Sequence, residues 1–397
     1  MGRQPGDHGW ARFTPHCLAF SVALAHGIVI TLLSLYLNAM GYGGAQIGLF
    51  NAGFTVASAL ASWAAGRISA SRGYVTALLL SLVPPAALAP LFPLAMTPPI
   101  TIAAVLIYGL SNGAFGTAAV GLLSEIPGRW GAAVSFGAFY TAAVLGRTVS
   151  GALAGAIIEG LGYEYLLLAG GLLMSAAAPS AVLLRGKVGA RGAGGVKERG
   201  DGPRPRGGIS RSMAVLLVAL FLHTMGFMAV SPFFSLYALK ELRLSEGLIG
   251  TLMSIRSAGV MVSEIAAGYL TAAVGSAEVL ASHILLSSVS WSAFTLAGGF
   301  WSAAAILLFG GVVGALDMPA RRTLISELSA PGEERARAMG LVDAVTGVAS
   351  AVGYLLGGLM WDRLGPRSPF LVASLYNAAA VPLLLLLKER GGDRPPD

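Results

Sequence analysis

The sequence predicts an all-α membrane protein with twelve transmembrane helices arranged as two parallel six-helix repeats. Three observations lead to this fold class. Hydrophobic residues make up 55% of the 397 residues and charged residues only 11%, and the mean hydropathy is +0.73. The apolar residues form uninterrupted runs of about 20, the length of a helix that spans a bilayer. A polar segment near the middle divides these runs into two similar halves.

Composition also excludes several classes of protein. A soluble domain carries about 25% charged residues, so this chain has too little polar surface to stay in water, and a lipid bilayer is the expected surrounding. The single Cys17 rules out an internal disulfide framework. The net charge of +7 lies mainly in loops and the polar segment, which predicts no nucleic-acid partner. We expect a monomer whose partner is a small-molecule substrate.

The apolar runs predict one helix each. The ninth run gives the weakest prediction of a membrane span, because its first half contains Glu278 and His283. The predicted helices lie near residues 13–38, 45–65, 74–95, 100–124, 131–158, 163–184, 212–238, 246–270, 276–297, 301–325, 338–361 and 368–387.

The polar segment at residues 185–211 predicts a flexible linker. It holds eight Lys or Arg and two acidic residues, is rich in glycine, and shows no helical or strand period. The expected domains are an N-terminal six-helix bundle at residues 1–184, this basic linker, and a C-terminal six-helix bundle at residues 212–397.

The distribution of basic residues predicts the orientation in the membrane. With an even number of helices, 20 of the 26 Lys and Arg fall on one side and four on the other, and two lie within spans. The richer side is expected to be cytoplasmic. The prediction is therefore a multi-pass protein of the cell membrane with both termini and the linker in the cytoplasm.

The two halves carry an internal repeat at a nearly constant shift. Residues 34–36, Ser-Leu-Tyr, recur at 235–237, a shift of 201, and Ser124-Glu125 recurs as Ser326-Glu327, a shift of 202. Gly155, Glu159 and Gly162 correspond to Gly358, Asp362 and Gly365 at a shift of 203. Six helices per half is an even number, so the halves insert in the same orientation. Parallel repeats of this kind are typical of alternating-access carriers.

The loop after the second helix resembles a motif of the major facilitator superfamily, Gly-x-x-x-Asp-Arg-x-Gly. Gly66 and Gly73 match its glycines, while Ala70 and Ser71 stand at the Asp-Arg positions. The repeat copy at residues 268–275 also keeps the glycines. The resemblance implies that Gly66 and Gly73 belong to a gating loop.

Two further helices bear on this resemblance. Residues 146–151 are similar to the fifth-helix antiporter motif Gly-Pro-x-x-Gly-Gly, with Arg147 in the proline position. Gly109 stands where proton-driven drug exporters of that family have a fourth-helix arginine. The resemblance covers essentially the whole chain and implies a secondary transporter that works by alternating access, with its subfamily left open.

Charged residues inside the apolar runs are the candidate functional groups, because a charge at mid-membrane costs about 2.5–3.5 kcal/mol and usually faces an interior pathway. Arg147 lies midway along the fifth helix and Arg256 near the middle of the eighth. Each is expected either to contact an anionic substrate or to stabilise a helix interface. No acid is expected at comparable depth, which favours a small organic or inorganic anion.

Polar residues of other spans complete the predicted substrate site. Each of the two histidines, His26 of the first helix and His223 of the seventh, is expected to be isolated, and for both a packing role competes with a proton relay. The remaining candidates for lining a cavity are Asn51, Asn112 and Tyr140.

Acidic residues are predicted near the cytoplasmic ends of helices. Asp317 and Arg321 lie four residues apart on one helical face, and Glu264 and Asp343 lie in the same half of the membrane. One hypothesis is a salt-bridge cluster at a cytoplasmic gate. The other is that one acid, with Asp317 or Glu264 foremost, carries a coupling proton.

No nucleotide-binding fingerprint and no His or Cys cluster at metal-ligand spacing occurs in the sequence, so we expect no enzyme, metal or cofactor, only coupling to a proton or another ion. A drug or sugar carrier is the alternative to an anion carrier. A non-transporting membrane sensor or partner subunit on the same fold is the alternative of another class. A lipid-modifying enzyme would need a nucleophile or metal constellation that the sequence lacks.

Overall fold

The computed structural model describes residues 14–91, 97–125, 132–184, 209–330 and 332–388, and within these ranges it is helical with no strand. A 3-10 helix at Ala89–Leu91 extends the fourth α-helix. The α-helices are α1 (Thr14–Thr31), α2 (Leu33–Ala39), α3 (Gly44–Arg72), α4 (Tyr74–Leu88), α5 (Pro98–Glu125), α6 (Ala132–Leu161), α7 (Glu164–Leu183), α8 (Arg211–Val230), α9 (Phe233–Lys240), α10 (Glu246–Val274), α11 (Ser276–Phe294), α12 (Phe300–Gly314), α13 (Asp317–Glu327), α14 (Glu333–Leu364) and α15 (Ser368–Lys388).

Every predicted run contains a helix, and three runs contain a broken pair. The first run divides at Leu32 into α1 and α2, the seventh into α8 and α9, and the tenth into α12 and α13. Proline explains two of the breaks. Pro232 lies between α8 and α9, and Pro319 lies in the first turn of α13, where its missing N–H cannot bond back to the preceding turn.

Eleven helical stretches of the described chain are long and apolar enough to cross a membrane. The ninth run is a helix of 19 residues, α11, but it is not among the eleven. Its polar side chains include Glu278 and His283, the two residues that also lowered the apolar character of this run in the sequence analysis. The chain is a multi-pass α-helical membrane protein.

Contacts divide the chain into two units, and the division does not follow the sequence halves throughout. One unit comprises Met1–Leu32 with Val56–Pro203, and the other Leu33–Thr55 with Arg204–Asp397. Most of the predicted linker, residues 185–208, lies outside the described residues. At its end Ser210 caps α8, because the Ser210 hydroxyl accepts a hydrogen bond from the Met213 amide at 3.1 Å.

Small residues bring the helices of the first unit into backbone contact. α1 packs against α6 and α7, and α4 packs against α5 and α7. A Cβ on Gly146 of α6 would lie 2.5 Å from the Phe20 carbonyl oxygen of α1. Close approach of this kind is the usual means by which helices associate in a membrane, where no hydrophobic driving force acts between them.

The second unit repeats this order of packing. α8 packs against α14 and α15, and α11 packs against α15 and α12. Gly353 and Gly357 of α14 contact the backbone carbonyls of Met225 and Ala229 in α8. α10 crosses α12 at Gly259 and Gly311, and a Cβ on Gly311 would overlap the Arg256 carbonyl. This crossing sets the position of Arg256.

Candidate functional site

The second unit encloses a small cavity of about 120 Å³ that joins polar groups from several helices. It opens between α8, α9, α10, α11, α12 and α13. The lining residues are His223, Phe227, Phe234, Arg256, Val260, His283, Ser287, Ser290, Trp291, Leu307, Gly310, Gly314 and Asp317.

Arg256 supplies a positive charge to this cavity. Its guanidinium carbon lies 5.3 Å from the centre of the Phe227 ring and 5.8 Å from that of Phe234, within range of cation–π attraction. The side chain is half-buried. Within the described ranges, no carboxylate forms an ion pair with Arg256. The aromatic faces stabilise the cation, but a full counter-charge is missing from its immediate contacts.

Two histidines meet at the wall of the same cavity. The Nε2 atoms of His223 in α8 and His283 in α11 lie 3.2 Å apart. The Nδ1 of His283 lies 2.8 Å from the Val313 carbonyl oxygen, and the Nδ1 of His223 lies 2.9 Å from Oδ1 of Asn377 in α15. Both histidines are buried. The rings are therefore held by hydrogen bonds on one side and face each other on the other.

Asp317 and Arg321 form a bidentate ion pair at the start of α13. The guanidinium of Arg321 donates to Oδ1 of Asp317 from Nε at 3.0 Å and from Nη2 at 2.8 Å, and to Oδ2 from Nη2 at 2.7 Å. The side chains are 16% exposed for Arg321 and 22% for Asp317. The predicted pairing along one helical face is present, and both carboxylate oxygens are engaged.

Asp317 also lies close to the histidine pair. One ligand atom from each of His223, His283 and Asp317 lies within 4.8 Å of the others. No metal-ligand spacing is visible along the chain because these three residues come from α8, α11 and α13. Their approach depends on tertiary packing, so periodicity along the chain could not reveal it.

One expectation drawn from the sequence was wrong. His223 is not isolated, since it contacts His283 and Asn377. Asp317 lines the same cavity as Arg256, which the sequence did not predict. The break at residues 315–316 begins a new helix at Asp317, and a first-turn residue of a broken helix is not positioned by the register of the helix before it.

The predicted residues of the first unit lie on α1, α5 and α6. Arg147 is exposed on α6, and Tyr140 is exposed with its ring edge-on to Phe139. His26 is buried, with Nε2 3.1 Å from the Ser111 hydroxyl and Nδ1 3.1 Å from the Val22 carbonyl. The Asn112 amide donates to the Ser58 hydroxyl at 3.1 Å. Their roles in substrate binding stay predictions.

The remaining candidates for the substrate site and for the gate are distributed over several helices. Asn51 belongs to the second unit and donates to the Ile47 carbonyl at 2.8 Å. Glu264 and Asp343 are both exposed. Gly73 joins α3 to α4 with a φ of 86°, a left-handed conformation that glycine adopts without strain.

A polar contact that the sequence did not predict fixes the start of α3 within the second unit. The carboxylate of Asp362, near the end of α14, accepts hydrogen bonds from the backbone amides of Gly44 at 2.7 Å and Ala45 at 2.8 Å. The first amides of a helix have no intrahelical partner and carry a partial positive charge. Asp362 therefore neutralises the N-terminus of α3.

Comparison with known proteins gives one family and several similar structures. The family described as the Major Facilitator Superfamily matches residues 216–397, and no curated protein matches the chain significantly. A mutant crystal structure of the nucleoside transporter NupG is similar with a TM-score of 0.79 and 13% identity, covering 95% of this chain and 99% of that one.

Two more solved structures share the fold. An inward-facing, occupied structure of a bacterial homologue of the human lysosomal transporter Spinster has a TM-score of 0.73 and 11% identity, with 98% of each chain covered. A POT family transporter in complex with 5-aminolevulinic acid has a TM-score of 0.72 and 13% identity, with 97% of each chain covered.

The chain therefore shares the multi-pass helical fold of these solved transporters. The C-terminal part of the chain, residues 216–397, matches the Major Facilitator Superfamily, which the loop and helix motifs of the sequence also resemble.

Proposed function

We propose that this protein carries a small organic anion across the cell membrane by alternating access. The observation that supports an anion most directly is Arg256, a half-buried cation that borders a cavity and has aromatic rings rather than a carboxylate beside it. A guanidinium keeps its proton in proteins, so its charge is permanent. A buried charge without a partner is costly, and a bound anion would supply the partner.

The charges around the cavity favour an anion even though Asp317 is present. Asp317 is engaged with Arg321 through both oxygens, which leaves Arg256 as the excess positive charge when both histidines are neutral. Opposite unit charges 4 Å apart attract by about 4 kcal/mol at an effective dielectric constant of about 20. A permanently cationic solute would meet repulsion of the same order.

The aromatic lining favours an organic rather than an inorganic anion. Phe227 stacks on Trp291 with ring centres 6.0 Å apart, and Phe234 borders the same cavity. These faces bury apolar surface, while the forked guanidinium of Arg256 suits a carboxylate. A solute with a carboxylate on a small apolar body satisfies both features.

The aromatic lining also supports an uncharged ring compound as the second candidate. NupG, which has a similar fold, is a nucleoside transporter. For a neutral solute Arg256 would donate hydrogen bonds without pairing a charge. The non-transporting sensor remains the alternative of another class, and transport assays separate it from both carriers.

We also infer the topology that the basic residues predict. It has twelve spans in two parallel repeats, with the linker at residues 185–211 and both termini in the cytoplasm. The similar packing order of α1, α6 and α7 in one unit and α8, α14 and α15 in the other supports two repeats. The function needs no cofactor, and we expect a monomer.

The proposal is tested by flux into liposomes that contain the purified full chain. Radiolabelled benzoate and lactate serve as organic anions, benzamide as the neutral analogue, and benzyltrimethylammonium as the cation. We expect flux of at least one anion and exclusion of the cation. Transport of the cation, or no anion flux under any ion gradient, would overturn the proposal.

Two charge-removing variants identify the residue responsible. Losing a charge-assisted hydrogen bond costs about 1.5–3 kcal/mol, so Arg256→Gln should weaken anion affinity about tenfold or more. Arg367→Gln is the matched control, because Arg367 is exposed in the same unit and does not line the cavity. Equal anion affinity in Arg256→Gln and the wild type would show that Arg256 does not bind the solute.

A further inference from the structure

The hydrogen bonds of the histidine pair determine which ring nitrogens carry protons. The Val313 carbonyl can only accept, so the Nδ1 of His283, 2.8 Å away, must donate. The amide nitrogen of Asn377 donates to the Ile284 carbonyl at 3.3 Å, which orients Oδ1 of Asn377 toward His223 as an acceptor. The Nδ1 of His223 therefore donates as well.

This assignment leaves an unusual arrangement at the centre of the pair. A neutral imidazole carries one proton, so with both Nδ1 atoms protonated each Nε2 has only a lone pair. The two lone pairs then face each other at 3.2 Å, the separation of a nitrogen–nitrogen hydrogen bond. Two neutral rings repel in this geometry, whereas a single added proton turns the contact into an N–H···N hydrogen bond.

We propose that His223 and His283 together bind one proton between their Nε2 atoms, and that this proton is transported with the anion. Binding forms an N–H bond on one ring and leaves the other ring as the acceptor. The proton comes from water on the side where the site is open and returns to water on the opposite side. The coupling part of this proposal rests on the proposed anion transport, while proton binding by the pair does not.

The groups around the pair support a proton rather than a metal ion. Asp317 on α13 faces the pair with a negative charge, and Arg321 beside it and Arg256 on α10 add two positive charges. α15 contributes the neutral Asn377. A divalent cation would need an oxygen of Asp317, yet Arg321 engages both oxygens, and two nearby guanidinium groups oppose a second positive charge.

The same charges link the proton to the anion. A proton on the histidine pair adds a positive charge to the cavity that Arg256 borders, and so strengthens anion binding there. By thermodynamic reciprocity, a bound anion strengthens proton binding by the same factor. Each ligand thus favours the complex that contains both, and the expected mode of transport is proton–anion symport.

Nuclear magnetic resonance of the full chain tests the proton site without any substrate. The chain has five histidines, so ¹⁵N-histidine labelling in liposomes gives few signals. Over about pH 5–8, the ordinary range of imidazole titration, we expect a correlation between the two Nε2 nuclei that His283→Asn abolishes. Two unprotonated Nε2 signals across this range, or displacement of the shared proton by added Zn²⁺, would overturn the proposal.

Flux measurements test the coupling. His223→Asn keeps a side-chain N–H for Asn377 but has no Nε2, so we expect loss of the protein-dependent benzoate accumulation driven by a pH gradient, measured relative to the variant's own benzoate exchange without a gradient. Ser374→Ala is the control, because it removes a buried hydrogen bond to the Ser288 carbonyl between the neighbouring helices α15 and α11. It should accumulate benzoate as the wild type does.

The outcomes separate the two proposals. Two results would overturn coupling through the pair and leave anion transport intact. One is a wild type that exchanges benzoate but whose benzoate accumulation does not depend on the pH gradient. The other is a His223→Asn variant that still accumulates benzoate in response to the gradient. Absence of benzoate, lactate and benzamide flux would overturn the proposed function and the coupling, while the Nε2 correlation would still decide whether the pair binds a proton.

Discussion

The ion pair between Asp317 and Arg321 should contribute measurably to stability, because it is largely removed from solvent. Replacing Asp317 by Asn leaves a guanidinium that is 16% exposed without its carboxylate. Breaking a buried pair by removing one partner costs about 3–5 kcal/mol. The partial exposure of both side chains screens the charges, so we expect about 2–3 kcal/mol for Asp317→Asn.

A double-mutant cycle isolates this interaction. Once Arg321 is also replaced by Gln, no unpaired charge remains, and the double variant should be less destabilised than the sum of the single variants by about 2 kcal/mol. The measurement is thermal or denaturant unfolding of the purified protein in detergent. Additive effects of the two substitutions would refute the argument that burial makes this pair strong.

The chain offers a matched control in α14. Glu333 and Arg337 form an ion pair with the same four-residue spacing, but their side chains are 69% and 51% exposed. Exposed helical pairs contribute about 0.3–0.5 kcal/mol, so the cycle of Glu333→Gln and Arg337→Gln should give a coupling energy in that range. Equal coupling in both cycles would mean that burial is not the cause.

Three further predictions concern the helices and the linker. Asp362→Asn should weaken the contact with the N-terminus of α3. A cysteine that replaces the half-buried Ala45 in a Cys17→Ala chain should then label faster, whereas Asp362→Glu should give an intermediate rate. Gly311→Ala should lower the unfolding temperature, because its Cβ would overlap the Arg256 carbonyl; an unchanged temperature would mean that α10 and α12 separate freely. Deleting part of residues 192–208 should leave membrane expression intact, and protease should cut there in inside-out vesicles but not in right-side-out vesicles.

The helices could be predicted from the sequence because membrane spans depend on local composition. Long apolar runs need no tertiary information, and proline explains why two runs divide. The weakness of the ninth run was also visible, since Glu278 and His283 lower its apolar character. Helix ends were the least predictable feature: α14 begins at Glu333, five residues before the predicted start at 338.

The candidate site was only partly predictable. Arg256 stood out as a charge inside an apolar run, and Asp317 and Arg321 as a helical pair. The meeting of His223 with His283 was not predictable, because the two residues are 60 positions apart and contact only through the packing of three helices. The sequence does show that several apolar runs each contain a polar residue. It does not show which of these residues line the same cavity.

The start of α3 has a mechanical consequence. α3 runs without a break from Gly44 to Arg72, and its 29 residues correspond to a rod of about 44 Å. Such a helix bends only gently without a proline or bulge, so it moves as a stiff lever. Release of the two hydrogen bonds at Asp362 would free one end of this lever, and a small displacement there would be carried along the helix toward the turn at Gly73. A binder that covers Asp362 would hold the lever still without entering the cavity.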